Sequence, residues 1–360
     1  MDYERSVCPV LKNPQSYDPD TIDLQNDIKQ REYWLTCLDQ MIKKFIPKAS
    51  ILNPEDLQAT EKAEKSYQTF HMLTEQLKDN PRLLNPLSVR TLLEFNEDNL
   101  RTNNFKDAWS IQKQKETALA FNKFSARLKY IDSIEPFRDR WLEVVKGVLA
   151  GNVFDWGSKV VSEMLEKSPN FDLLDAMKTI QPRPWFKDDF ELFVNKIETC
   201  PYKKVVIFVD NAGIDFVLGI LPFARELLKL GTKVILVGNT LPALNDVTFK
   251  ELKSYLVEAS HQCGIFRNAL NENRLQCLEN GQRGPCLDLT SLPEELCETM
   301  LTTDCVIIEG MGRAVQTNFY ATFTIDCLKL AVLKNEWLAK SLGASQFFVI
   351  CDFQIATSST

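Results

Sequence analysis

Three places in the chain set carboxylates, amides and glycines together in ways that suit a metal ion or a phosphate. The first is Asp210-Asn211-Ala212-Gly213, at the end of the apolar run KKVVIFVD (203–210). A carboxylate beside an amide carbonyl offers hard oxygen donors, suited to Mg²⁺ or Mn²⁺. The same dipeptide closes strands as an Asx turn or helix cap, so both readings stand. The second place is Asn245-Asp246. Asp246 follows Asp210 by 36 residues, one strand–helix–strand step, which lets both acids converge on one rim of a sheet. It equally suits the cap of a helix beginning at Val247.

The third place is Glu309-Gly310-Met311-Gly312-Arg313. Two glycines after an acidic strand end let backbone approach a ligand closely, and Arg313 could fork onto a phosphate. The segment lacks the GK[ST] ending of a Walker loop and the GxGxxG spacing of a dinucleotide fingerprint. A tight turn is the plain alternative. Asn239 follows the run TKVILVG (232–238), while Asn318 and Lys329 add an amide and a cation downstream. Gly151-Asn152-Val153-Phe154-Asp155-Trp156-Gly157 breaks a good helical pattern, which a helix–helix corner explains about as well.

The elements that must position these residues change period along the chain. Apolar residues at helical spacing mark Leu57–Leu77, Ile134–Leu149 and Phe186–Ile197. From residue 203 onward, short β-branched and aromatic runs alternate with helical patterns. The runs are 203–210, 232–238, 286–289, 304–310, 327–333 and 346–353. Helices are expected near Asp215–Leu230, Val247–Ala259 and Asn335–Leu342, with Pro222 kinking the first or delaying its start. Residues 263–285 read as an excursion. Near-continuous apolar strands alternating with helices imply a parallel sheet covered on both faces. The expected architecture is a helical N-terminal region, 1–199, on a Rossmann-like three-layer α/β/α domain, 200–360. In such sheets ligands bind beyond the carboxyl ends of the strands, where all three places fall.

Composition narrows the function. The 360 residues carry a net charge of −7, which argues against nucleic acid or an anionic membrane as the main partner. Two histidines make a zinc site or a histidine-based triad improbable. No apolar run spans a membrane, and the acidic N-terminus lacks a secretory apolar region. Ten cysteines without a CxxC pair, several inside apolar runs, are expected to be reduced thiols in the cytoplasm. The sequence sets no oligomeric state.

With these residues assembled, the sequence resembles the metal-dependent damage-control phosphatases, in the subgroup carrying the EGMGR signature. The resemblance runs in order through AGNVFDWGS (150–158), QPRPWFKDD (181–189), 206–228, LPALNDVT (241–248) and EGMGR (309–313). It implies phosphomonoester hydrolysis, with 4′-phosphopantetheine and related damaged metabolites as substrates. It places a divalent ion (Mn²⁺, Co²⁺, Ni²⁺ or Mg²⁺) on Asp210, Asn211 and Asp246. Catalysis then rests on Asp210, Asp246 and Arg313. Phosphate contacts are expected from Gly213, Asn152, Asn239, Glu309, Gly310, Gly312, Arg313, Asn318 and Lys329. One departure is visible: relatives read D-N-S-G where this chain has Ala212. A non-catalytic metabolite-binding module that kept the pocket is the alternative.

Overall fold

Runs such as Lys204–Phe208 are too short for a helix and are apolar at every position after the lysine, so they bury best as central strands with a core on each face. The computed structural model describes residues 5–155, 159–168 and 171–356. Its main sheet has seven strands: β1 (Lys187–Asp188), β2 (Lys204–Phe208), β3 (Lys233–Gly238), β4 (Leu275–Glu279), β5 (Cys305–Glu309), β6 (Asp326–Val332) and β7 (Val349–Gln354). The order across the sheet is β1-β7-β6-β5-β2-β3-β4. Strands β2 to β6 are mutually parallel, whereas β7 runs antiparallel to β6 and carries β1 beside it.

Side chains of β2 alternate between two cores. Val205 and Ile207 face one, shared with Phe124 of α4 (Ser110–Asp132), Trp141 and Val148 of α5 (Phe137–Gly151) and Phe193 of α6 (Phe190–Thr199). Val206 and Phe208 face the other, shared with Trp34 and Leu38 of α1 (Ile28–Lys43), Phe70 of α2 (Ala59–Asp79) and Leu92 of α3 (Val89–Thr102). The result is a three-layer α/β/α fold. Residues on both sides of position 200 fill both cores.

One strand lies elsewhere than its apolar pattern indicates. Residues 286–289 form no strand; Cys286, Leu287 and Leu289 are buried in the second core as loop, with Leu289 accepting from the Cys8 amide. The seventh position in the sheet goes to β4, inside the segment that reads as an excursion. As an edge strand it is largely half-buried, so it lacks the continuous apolar run of its neighbours.

The helix after β2 also differs. Asp215–Ile220 is a π-helical turn, and the α-helix α7 (Leu221–Lys229) starts one residue before Pro222, where the missing amide costs nothing. After β3, helix α8 (Phe249–Gln262) starts at Phe249 with Thr248 as its cap in a capping box with Glu251. Asp246 therefore does not cap it.

Candidate active site

The chain leaves β2 towards β3 on one side, and β5 passes to β6 on the other, so a crevice opens between the ends of β2 and β5. Asp210 lies just past β2, Glu309 ends β5, Asn239 follows β3, and Lys334 stands two residues past β6. Backbone bonds zip the first two loops together. The Val247 amide donates to the Asp210 carbonyl at 2.9 Å, and the Ala212 amide to the Asn245 carbonyl at 2.8 Å.

Behind the crevice lies a cluster of buried carboxylates. Oxygens of Asp210, Asp215 and Glu309 lie within 4.8 Å of one another. The Asn152 amide nitrogen donates to Asp210 Oδ2 and to Glu309 Oε1, each at 2.9 Å. The Asp210 backbone N–H donates to Glu309 Oε2 at 2.7 Å. The Asn211 side chain donates to Asp210 Oδ2 and Asp215 Oδ2, also at 2.9 Å, so its amide oxygen is turned away from those carboxylates. Burial pushes the Asp215 carboxyl up to about 6 and raises Glu309 well above the usual carboxylate range, where the Asp215 charge adds to the effect.

Two glycines make this crowding possible. Gly310 sits at φ +104°, and a Cβ there would fall 2.3 Å from Cγ of Asp210. Gly151 ends α5 directly against Asp215, where a Cβ would lie 2.8 Å from its Cα. The break in the helical pattern at 151–155 therefore delivers Asn152 into the carboxylates; Trp156 and Gly157 lie outside the described residues.

In front of the cluster is a cavity of about 380 Å³, lined by Asp210, Asn211 and Asp246 together with Asp155, Gly312 and Lys334. Its outer wall is α1, which contributes Tyr33, Trp34, Cys37, Leu38 and Met41. Asp246 Oδ2 accepts from Asn239 at 3.0 Å and from Arg313 Nη2 at 2.7 Å. Arg313 also donates from Nη2 to Asn239 Oδ1 and from Nη1 to Asp210 Oδ1. The guanidinium is fully buried and bridges the two carboxylates expected to hold metal, with both terminal nitrogens taken.

Other residues expected to contact phosphate bond within the protein, while Gly312 lines the cavity. The Gly213 amide donates to Thr117 Oγ1 at 3.1 Å, and its φ of +74° turns the chain into the π-helical segment. Asn318 donates to the carbonyls of Leu287 and Arg313 and accepts from the Tyr17 hydroxyl, which braces the arginine loop. Lys329 lies within β6 and donates to the carbonyls of Phe319 and Ala321, both at 2.9 Å. Gly312 has no positive φ; a Cβ there would meet the Pro285 carbonyl at 3.1 Å.

Two residues that sequence reasoning passed over stand in this site. Lys334 faces the cavity, with Nζ 2.8 Å from Asp155 Oδ2 and 2.6 Å from the Asn152 carbonyl. It sits where the strand-end rule points, once β6 is known to end at Val332. Asp215 sits in the π turn four residues past Asn211 and had only its place in an apolar helix start to signal it.

The donor chemistry fits a divalent cation. Asp215 Oδ1 is buried without a hydrogen-bond partner among the described residues, beside two further carboxylates. Such a cluster is satisfied by a proton or a cation, and all its donors are hard oxygens. Among the described residues no helix is long and apolar enough to cross a membrane, and none of the ten cysteines is in a disulfide.

A match to the damage-control phosphatase ARMT1-like domain covers residues 34–348. The chain belongs to that family. A 4′-phosphopantetheine phosphatase of Mus musculus is 37% identical over 97% of this chain, and the chain spans 48% of that protein, less than half its length. A damage-control phosphatase of Arabidopsis thaliana is 35% identical over 89% of this chain and 87% of its own length. Among solved structures, a DUF89 family protein from Pyrococcus horikoshii superposes with a TM-score of 0.63 at 16% identity, covering 89% of this chain and 97% of that one. For this damage-control phosphatase domain, that likeness establishes the fold.

Proposed function

We propose that the chain is a metal-dependent phosphomonoester hydrolase of coenzyme A metabolism, acting on 4′-phosphopantetheine or its oxidised forms in the cytoplasm. The observation that carries the reading is the grouping of Asp210, Asn211, Asp246 and Lys334 on one cavity backed by buried carboxylates. Of the hard donors at the strand ends, Asp210, Asn211 and Asp246 are the ones that line the cavity, where a substrate phosphate can reach a cation they hold. A bound Mn²⁺, Co²⁺, Ni²⁺ or Mg²⁺ would supply Lewis-acid charge to a phosphoryl oxygen.

The chain's own residues do the rest. Asn152 and Asn211 hold Asp210 Oδ2 by two amide hydrogen bonds, which fixes the carboxylate's rotation. Arg313 keeps Asp210 and Asp246 together before any ion binds. Lys334 brings a positive charge to the cavity wall, where it offsets the charge of the phosphoryl oxygens. The apolar wall of Trp34, Leu38 and Met41 suits the uncharged arm of a phosphomonoester better than a sugar phosphate's hydroxyls. The name of the mouse relative supports the choice of substrate. The acidic net charge argues for a small metabolite as the partner and against nucleic acid.

A side-by-side screen tests the substrate. Values of kcat/KM for 4′-phosphopantetheine, its oxidised forms and sugar phosphates should rank the pantetheine compounds first. A higher value for a sugar phosphate would overturn the assignment.

A further inference from the structure

Met41 of α1 and Leu244 line the catalytic cavity and also a second, smaller groove between α1, α2 and α3. That groove is about 30 Å³, room for about two water-sized groups. Its walls are mostly apolar, including Ile42, Phe45 and Leu100. Two polar atoms there are unsatisfied. Ser66 Oγ on α2 and Asn96 Oδ1 on α3 belong to residues 2% and 3% exposed, and neither has a hydrogen-bond partner among the described residues. The Ser66 carbonyl already accepts from Asn99 at 2.6 Å, so it is the hydroxyl that is left over. Buried polar groups are rarely left so, and two in one groove await a partner.

A hydroxyl donor and a carbonyl acceptor together complement the carbonyl and N–H of a neutral amide. Of the two residues between cavity and groove, Met41 is unbranched and can repack, whereas Leu244 is held at a φ of +46°. We infer that Ser66 and Asn96 form an amide-recognising subsite at the far end of the substrate site. A slender, amide-bearing arm of the phosphomonoester passes Met41 and Leu244 to reach it. This rests on the phosphatase reading above and adds its specificity determinant: a substrate without an amide arm gains nothing from these two residues.

The experiment compares 4′-phosphopantetheine with p-nitrophenyl phosphate, which has no amide, on the wild type, Ser66→Ala and Asn96→Ala. Each variant should raise KM for phosphopantetheine about tenfold, the scale of one ordinary hydrogen bond, with kcat little changed. Both constants for p-nitrophenyl phosphate should stay at the wild-type values. Equal losses on both substrates would assign these residues a purely structural role, and unchanged kinetics on both would leave the groove to resident water; either overturns the subsite. A wild-type chain inert on both substrates, with metal supplied, would overturn the phosphatase reading itself.

Discussion

The guanidinium of Arg313 donates to the Asp246 carboxylate at 2.7 Å while its other terminal nitrogen holds Asp210, so one buried side chain ties the loops leaving β2 and β3. A lysine ammonium is a point donor and cannot span both carboxylates. Arg313→Lys should lose about 3 kcal/mol of stability by urea denaturation of the metal-free protein, as expected when a buried pair is broken. Catalytic efficiency should fall by roughly one to two decades, because the carboxylates lose their common orientation. Wild-type stability together with wild-type turnover would remove the bridge from the account.

Gly310→Ala addresses the closest backbone approach in the site. Its φ of +104° and the Asp210 carboxylate beside it leave no place for a methyl group. The variant should lose about 3 kcal/mol or more and most of its activity. Gly312→Ala is the comparison, since it lacks the positive φ and should lose far less. Similar losses in the two variants, by denaturation and phosphate release, would argue against this geometry.

Asp215 makes a pH prediction for the chelated protein. Burial raises its carboxyl to about 6, above an unfolded value near ~3.9. The folded state therefore holds this proton more tightly than the unfolded chain does. That contribution is fully present below about pH 4 and is lost as pH rises to about 6, amounting to about 3 kcal/mol. Asp215→Asn cannot ionise. Its stability relative to wild type should improve between pH 4 and 6.5, read by urea denaturation at each pH. A difference that does not change with pH would contradict a carboxyl whose burial outweighs its hydrogen bonds from Asn211.

The two lysines near β6 should separate cleanly. Lys334→Met removes the cavity's cation and should raise KM for phosphomonoesters by roughly tenfold to a hundredfold, on the scale of one charged hydrogen bond. Lys329→Met leaves two loop carbonyls without their donor and should lower the melting temperature with KM unchanged. The reverse pattern would restore the strand lysine to the site.

The strand ends were the most legible part of this protein, because buried parallel strands must be continuous apolar runs and the polar residue that stops each run is visible. Asp210, Asn239 and Glu309 stand out for that reason, and Asp246 by its spacing from Asp210. Strand β4 was hidden because this edge strand is largely half-buried and carries no continuous apolar run, while the apolar 286–289 is a buried loop. The choice between Lys329 and Lys334 depends on where β6 ends, and both lie in or beside one apolar run. Asp215 was hidden by the π-helical turn, which no periodicity announces and which carries it beneath Asn211. Nor does local sequence tell that Arg313 spends its fork on Asp210 and Asp246: that follows from three strand ends meeting in three dimensions.

Phosphate release from p-nitrophenyl phosphate, by chelated protein before and after Mn²⁺ is added, tests the central claim most directly. The wild type should be silent after chelation and recover with Mn²⁺. Asp210→Ala and Asp246→Ala should stay silent with the ion present, while still unfolding cooperatively. Turnover that survives thorough chelation, or Mn²⁺-dependent turnover in Asp210→Ala, would contradict metal-assisted hydrolysis at the ends of β2 and β3.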